Sequence, residues 1–269
     1  METFQGELRS KFTVRRRIAL LAALIPVFAS ADDLAMAKQM MGSALGELAG
    51  QTRLTVVLSG IETDGTRKNS IYVALALETY MVDNRPVPYL EVTEYRNNEL
   101  LTRSAADGTR FWNYDLKDRE YTSVDYATAS FVGKEKERLY QNLMLRSKGA
   151  SNLVARLMKD VYTGDINTRS NWQPWRPGAT VTLDDAGNIV CDSAIPNTNK
   201  LTYVMARTQF GYTLEAMKYY EESKISDRWR TSTWDVTIHR SYLPDDVSFQ
   251  FVPPKGARAI AINEARGGF

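Results

Sequence analysis

The spacing of apolar residues changes along the chain, and each change marks an element. Over 33–49, Leu34, Met41, Leu45 and Leu48 recur at helical spacing and Gly50 ends the run, which predicts a helix. From Thr52 to Ile61 the period drops to two, with Leu54, Val56 and Leu58 alternating with smaller or polar neighbours. Asp64-Gly65 marks a turn, and Ile71, Val73, Leu75 and Leu77 then share one strand face while Tyr72, Ala74 and Ala76 take the other. Tyr89–Arg96 and Glu99–Ala105 flank Asn97-Asn98. Thr109–Asp115 follows Asp107-Gly108, a dipeptide suited to a turn with positive φ, and Arg119–Asp125 adds one more short run. Residues 52–125 thus predict a six-stranded antiparallel meander.

A helical stretch interrupts it. Leu139, Leu143 and Arg146 fall on one side of 134–147, and Ser151 is placed to cap a helix carrying Leu153, Leu157 and Val161. Residues 164–178 read as a loop with Trp172 and Trp175 set among prolines. Strands resume at Leu201–Arg207, Tyr212–Glu221, Trp229–His239 and Val247–Phe251, with Pro253-Pro254-Lys255-Gly256 stopping the last. About ten strands in one antiparallel sheet must curl. The expected class is therefore α+β: a strongly curved, half-open barrel with a few helices plugging its concave side. No linker or charge block divides 32–262, so one domain is expected there, with a frayed tail over 263–269.

Ahead of these elements, residues 1–31 read as an export signal. Arg15, Arg16 and Arg17 precede the apolar run Ile18–Ala29, and Ala29-Ser30-Ala31 forms a small-x-small cleavage site before Asp32 and Asp33. As a helix that run spans roughly 18 Å, against about 30 Å of hydrocarbon core, and Pro26 interrupts it. A cleaved signal and a periplasmic or secreted product are expected. The whole chain carries a formal charge of +2. The leader holds Arg9, Lys11, Arg15, Arg16 and Arg17 against Glu2 and Glu7, so its loss leaves a nearly neutral chain and no general nucleic-acid binder.

Composition then narrows the chemistry. The chain has one Cys, Cys191, and one His, His239. No intramolecular disulfide can form, and a zinc site of the Cys/His type lacks ligands. His239 closes a predicted strand beside Arg240 and reads as a surface residue. Cys191 follows Val190 in a short apolar run and reads as a buried thiol. No phosphate-binding, zinc-protease or serine-nucleophile motif occurs, and Asp107, Asp115 and Asp118 sit where turns want Asp. No metal, no cofactor and no enzyme activity are expected.

Two stretches carry a family likeness. Asp107-Gly108-Thr109-Arg110-Phe111-Trp112-Asn113-Tyr114-Asp115 has a DG hairpin with alternating aromatics. Leu243-Pro244 is followed by Phe249-Gln250-Phe251-Val252-Pro253-Pro254-Lys255-Gly256-Ala257. With the helix before the first hairpin, their order resembles the LolA/LolB-like superfamily of periplasmic lipoprotein carriers, over nearly all of 33–260. The resemblance implies a half-open barrel with helices as a lid and acyl chains held in an apolar concave cavity. It implies a hydrophobic or acylated ligand as partner, a lipoprotein among the candidates, with membrane proteins as further partners. A monomer is expected.

The cavity candidates are Leu54, Val56, Leu58, Val73, Leu75 and Leu77, joined by an aromatic wall of Trp112 and Tyr114. Trp172 and Trp175 are candidates for a gate over its mouth. Burial of a saturated chain returns about 0.8 kcal/mol per CH₂, so a fourteen-carbon chain gains on the order of 10 kcal/mol before ordering costs. The same six positions also suit plain packing under the helices, and the aromatics suit cross-strand packing. Two readings of function stand: an exported carrier or binding protein for a lipid, acyl chain or lipoprotein, and a non-catalytic sensor or interaction module whose cavity its own side chains fill.

Overall fold

The computed structural model describes residues 31–125, 139, 142–143, 145, 149–163, 180–192, 199–225 and 228–261. Helix α1 (Ala31–Ala49) leads into β1 (Arg53–Asp64), β2 (Arg67–Val82), β3 (Arg85–Arg96), β4 (Glu99–Asp107), β5 (Arg110–Asp115) and β6 (Glu120–Asp125). Helix α2 (Gly149–Thr163) precedes β7 (Thr180–Leu183), β8 (Ile189–Asp192), β9 (Asn199–Thr208), β10 (Gly211–Ile225), β11 (Arg228–Arg240) and β12 (Arg258–Ala259). All twelve strands join one sheet in the order β12-β6-β5-β4-β3-β2-β1-β11-β10-β9-β8-β7. The sheet is strongly curved and unclosed, and the class is broadly α+β.

Two antiparallel meanders, β1–β6 and β7–β11, meet along the β1/β11 seam, where Leu54 faces Arg240 and Asp64 faces Arg230. Tight turns set the register of the first. Asp83-Asn84 and Asn97-Asn98 all have positive φ, as two-residue hairpins with the twist of their strands require. Gly108 (φ 91°) turns β4 into β5, and the Asp107 carboxylate accepts from Thr109 N at 3.0 Å and Arg110 N at 2.8 Å. Register shifts opposite Glu94/Tyr95, where Leu101 of β4 is the extra residue, and at Leu214/Ala216, where Glu215 of β10 is, bend β4 and β10, as bulges do.

The six-stranded meander over 52–125 forms as the alternation predicts, and β9, β10 and β11 cover the three long runs after residue 200. Among the described residues the strands number twelve and not about ten, because β7 and β8 are too short to show a period. Two further expectations need correction. Val247–Phe251 is not a strand: Val247 N turns back to Pro244 O, and Ser248 N and O meet the Glu91 and Arg103 side chains rather than a ladder. The last strand is Arg258–Ala259, which runs parallel to β6. Ser151 does not cap α2 either, because Gly149 and Ala150 before it are already helical and the Ser151 hydroxyl donates to the Glu94 carboxylate instead. Of the helix expected over 134–147, Leu139, Asn142, Leu143 and Leu145 are described, all helical; the rest of it lies outside the described residues. So do residues 1–30, the tail from 262, and the 164–178 loop with Trp172 and Trp175.

One face of the sheet, here called inner, carries the main core. Leu54, Val56, Leu58, Val73, Leu75, Leu90, Val236 and Met217 pack there with Ala37, Met40, Met41, Ala44, Leu45 and Leu48 of α1 and with Leu153, Val154, Leu157 and Met158 of α2. The outer face is crossed by the C-terminal segment. Thr55 Oγ1 donates to Tyr242 O at 2.7 Å, Ser248 N donates to Glu91 at 3.1 Å, and Arg103 donates to Ser248 O at 3.1 Å. The chain thus runs from β1 across β3 and β4 to join the β6 edge.

Candidate functional site

The inner face is the candidate site, and alternation decides what points into it. On β1 the even positions Leu54, Val56, Leu58, Gly60 and Glu62 face inward. Their β2 partners are Leu77, Leu75, Val73, Ile71 and Asn69. The six apolar candidates are brought together there, each no more than 5% exposed, beneath both helices. This middle zone belongs to one buried cluster with side chains of both helices.

Trp112 and Tyr114 are not brought to it. Phe111 and Asn113 take the inward parity of β5, and Phe111 joins the main core. Trp112 and Tyr114 therefore face outward, where Phe251 packs on them with ring centroids 6.2 and 5.7 Å apart and on Tyr121 at 5.8 Å. The two stretches that carry the family likeness thus pack against each other on the outer face. His239 is exposed there, its ring edge-on to Tyr242 at 6.0 Å. Cys191 is buried on the inner face, and loss of solvent pushes its thiol up, further from thiolate. Among the described residues no three His, Cys, Asp or Glu side chains converge to hold a metal ion.

The two ends of the inner face are polar, and they differ. At the α1 end, Arg240 donates through Nε to Glu47 at 3.0 Å and through Nη2 to Leu214 O at 2.7 Å. Thr213 donates to Glu47 at 2.8 Å. Tyr212 N donates to Ser43 Oγ at 3.0 Å, so α1 is stitched to β10 and β11. Those bonds are internal and complete an anchor.

The opposite end holds a buried carboxylate, Glu62, whose side chain is 4% exposed. Arg96 and Arg230 both reach its Oε2, at 3.2 and 2.9 Å. Two guanidiniums on one carboxylate offset the cost of burying it. Glu94, two residues before Arg96 and on the same face, meets Ser151 at the start of α2. Burial pushes the Glu94 carboxyl up and Glu62 adds to this, while the Ser151 bond and Arg96 oppose it. Tyr219 donates to Glu221 at 2.9 Å and stacks on Trp234 at 5.2 Å.

Sequence reasoning singled out none of Glu62, Glu94, Arg96, Arg230, Trp234, Tyr219 or Glu221. The signal was there. Glu62 continues the parity of Leu54, Val56 and Leu58, Glu94 and Arg96 continue that of Leu90 and Val92, and Arg230 continues that of Val236 and Ile238. A charge at core parity is a strand position that ought to be either partnered or functional.

No family model matches this chain, and no curated protein matches it. Among solved structures, a DUF1329 family protein from Desulfovibrio piger is 10% identical with a TM-score of 0.35, covering 81% of this chain and 98% of its own. LprF from Mycobacterium bovis is 12% identical with a TM-score of 0.27, covering 80% and 98%. At TM-scores of this size neither likeness adds to what the strand order and side chains themselves show.

Proposed function

We propose that the protein is an exported carrier or binding protein of the LolA/LolB-like kind. It would hold the acyl chain of a lipid or lipoprotein against the inner face of its half-barrel. The observation that carries this is the make-up of that face: one unbroken apolar band across β3, β2, β1, β11 and β10, covered by helices that belong to no strand ladder. A covering of this kind separates from the sheet without breaking a single β hydrogen bond. An acyl chain that replaces helix side chains on the band keeps the apolar surface buried, so the exchange costs far less than exposure to water. The charges at the two ends set the limits of the band. Export through a cleaved leader at 1–31, the single domain over 32–262 and a gate at Trp172 and Trp175 belong to the same proposal.

Native mass spectrometry of the exported protein, followed by displacement of a fluorescent fatty acid, tests it. Acyl species that co-purify and compete with the probe are the expected result. A protein that leaves the cell ligand-free and ignores the probe would count against a carrier. The second reading is a sensor or interaction module with a self-filled cavity. What favours it is the burial of all six apolar candidates, none above 5% exposure, under α1 and α2. The two readings part on whether α2 leaves the sheet, which amide hydrogen exchange over 149–163 reports with and without fatty acid.

A further inference from the structure

At the Glu62 end of the inner face, a row of four residues crosses the sheet. Trp234 on β11 faces Gly60 on β1, Gly60 faces Ile71 on β2, and Ile71 faces Arg96 on β3. At about 4.8 Å per strand the row spans roughly 14 Å. The indole is fixed in it from two sides. Tyr219 stacks on one, and a Cβ on Gly60 would come within 2.4 Å of the indole Cδ1, so the missing side chain is the space the ring occupies. Trp234 is 6% exposed, yet its buried Nε1 has no acceptor. Arg96 gives Nη2 to Glu62 and keeps a buried Nε, which also has no acceptor.

Of the nearby acceptors, Glu62 meets two arginines through Oε2, Glu94 meets Ser151 and Glu221 meets Tyr219, and none of them meets either of these two N–H groups. Two buried donors, Trp234 Nε1 and Arg96 Nε, are thus left without an acceptor at this end. Buried donors are nearly always met by some acceptor. We propose that this row is the head-group site of the acyl ligand, with Trp234 Nε1 and Arg96 Nε donating to its carboxylate or ester oxygens. The inference rests on the carrier reading and orients the ligand. The oxygen-bearing end lies between Trp234 and Arg96, and the chain runs over Leu58 and Val73 toward Arg240. A tail alone is bound by area; a head held by two fixed donors is also read by its chemistry.

Displacement assays on the full exported chain compare a long-chain fatty acid, its methyl ester and the primary alkylamine of equal length, which offers no carbonyl. Trp234→Phe keeps the stacked ring and removes the N–H, and Arg96→Lys keeps the charge beside Glu62 and removes the Nε donor. Each is expected to weaken the acid about fivefold to tenfold, as loss of one hydrogen bond does, and to leave the amine unchanged. Weakening of the ester as well assigns the site to the carbonyl; weakening of the acid alone assigns it to the carboxylate. The Trp234 indole N–H resonance should move downfield with the acid and stay still with the amine, a readout that stands even where a variant fails to fold. Affinities that change equally for all three probes, or an indole resonance unmoved by bound acid, overturn the head-group site and leave the carrier standing. A wild-type protein that binds none of the probes removes the carrier reading itself.

Discussion

The sheet's two faces are made by the same alternation of residues, yet they are covered in opposite ways. The inner face is apolar through its middle and lies under two helices. The outer face carries threonines, tyrosines and charges, and among the described residues it is covered where the segment after β11 crosses it. Helices supply a wide apolar stripe and can fill a broad band. An irregular strap supplies one or two aromatics and must satisfy its own backbone through side chains, here Glu91, Arg103 and Thr55. The inner face is thus built from area and the outer one from a few specific contacts, and a perturbation of each should show a different signature.

The largest effect is expected at the centre of the band. Leu75 is fully buried between β1 and β3, and Leu75→Ala should cost about 3 kcal/mol by lost transfer energy and an unfilled cavity. Urea unfolding measures it, and a cost below about 1 kcal/mol would mean that the site collapses or was never closely packed. Phe251→Ala, on the outer face, should cost about 2 kcal/mol, because its ring belongs to a small cluster, with three aromatics against it, at one edge of the sheet. The loss should stay local. Limited proteolysis is expected to open the chain within 241–261 before any other segment, and simultaneous cleavage elsewhere would show that the strap and the core are one unit.

The smallest effect is a pH dependence at Glu94. The Ser151 hydroxyl from α2, Arg96 on its own strand and Glu62 on β1 face this carboxyl, and burial raises its pKa above that of an unfolded glutamate. The folded state therefore favours the protonated form. The group's contribution is complete below about pH 4.3, the unfolded value, and is lost as pH rises through the raised folded value. Glu94→Gln, which cannot ionise, should gain stability relative to wild type between pH 4.5 and pH 8, by less than about 1 kcal/mol. Thermal melts of both proteins across that range measure the difference. A difference that is flat with pH, or that falls, would mean the Glu94 carboxylate is already fully stabilised by its arginine neighbour.

Much of the β1–β6 arm was legible because its information is local. Asp107-Gly108 and Asn97-Asn98 specify their turns through φ, and Leu54 to Leu58 and Ile71 to Leu77 specify a face through parity. Less was legible after residue 178. Thr180–Leu183 and Ile189–Asp192 are four-residue strands, and at that length alternation cannot be told from chance. Val247–Phe251 alternates like a strand, and nothing local says that it will cross the sheet rather than join it. The aromatic residues misled for a related reason. Trp112 and Tyr114 look like a binding wall, but parity relative to Phe111 sends them outward.

From the sequence alone came the periods, the turns, the early helix and the charge balance, because each depends on residues within a few positions of one another. Only the tertiary structure decided that β1 and β11 close the seam, that Glu62 draws Arg96 from β3 and Arg230 from β11, and that Gly60 makes room for Trp234. Those partners lie far apart in the chain, and their meeting depends on a register set by the whole sheet. A charge at core parity can be seen in a sequence. Whether another charge answers it is a property of the fold.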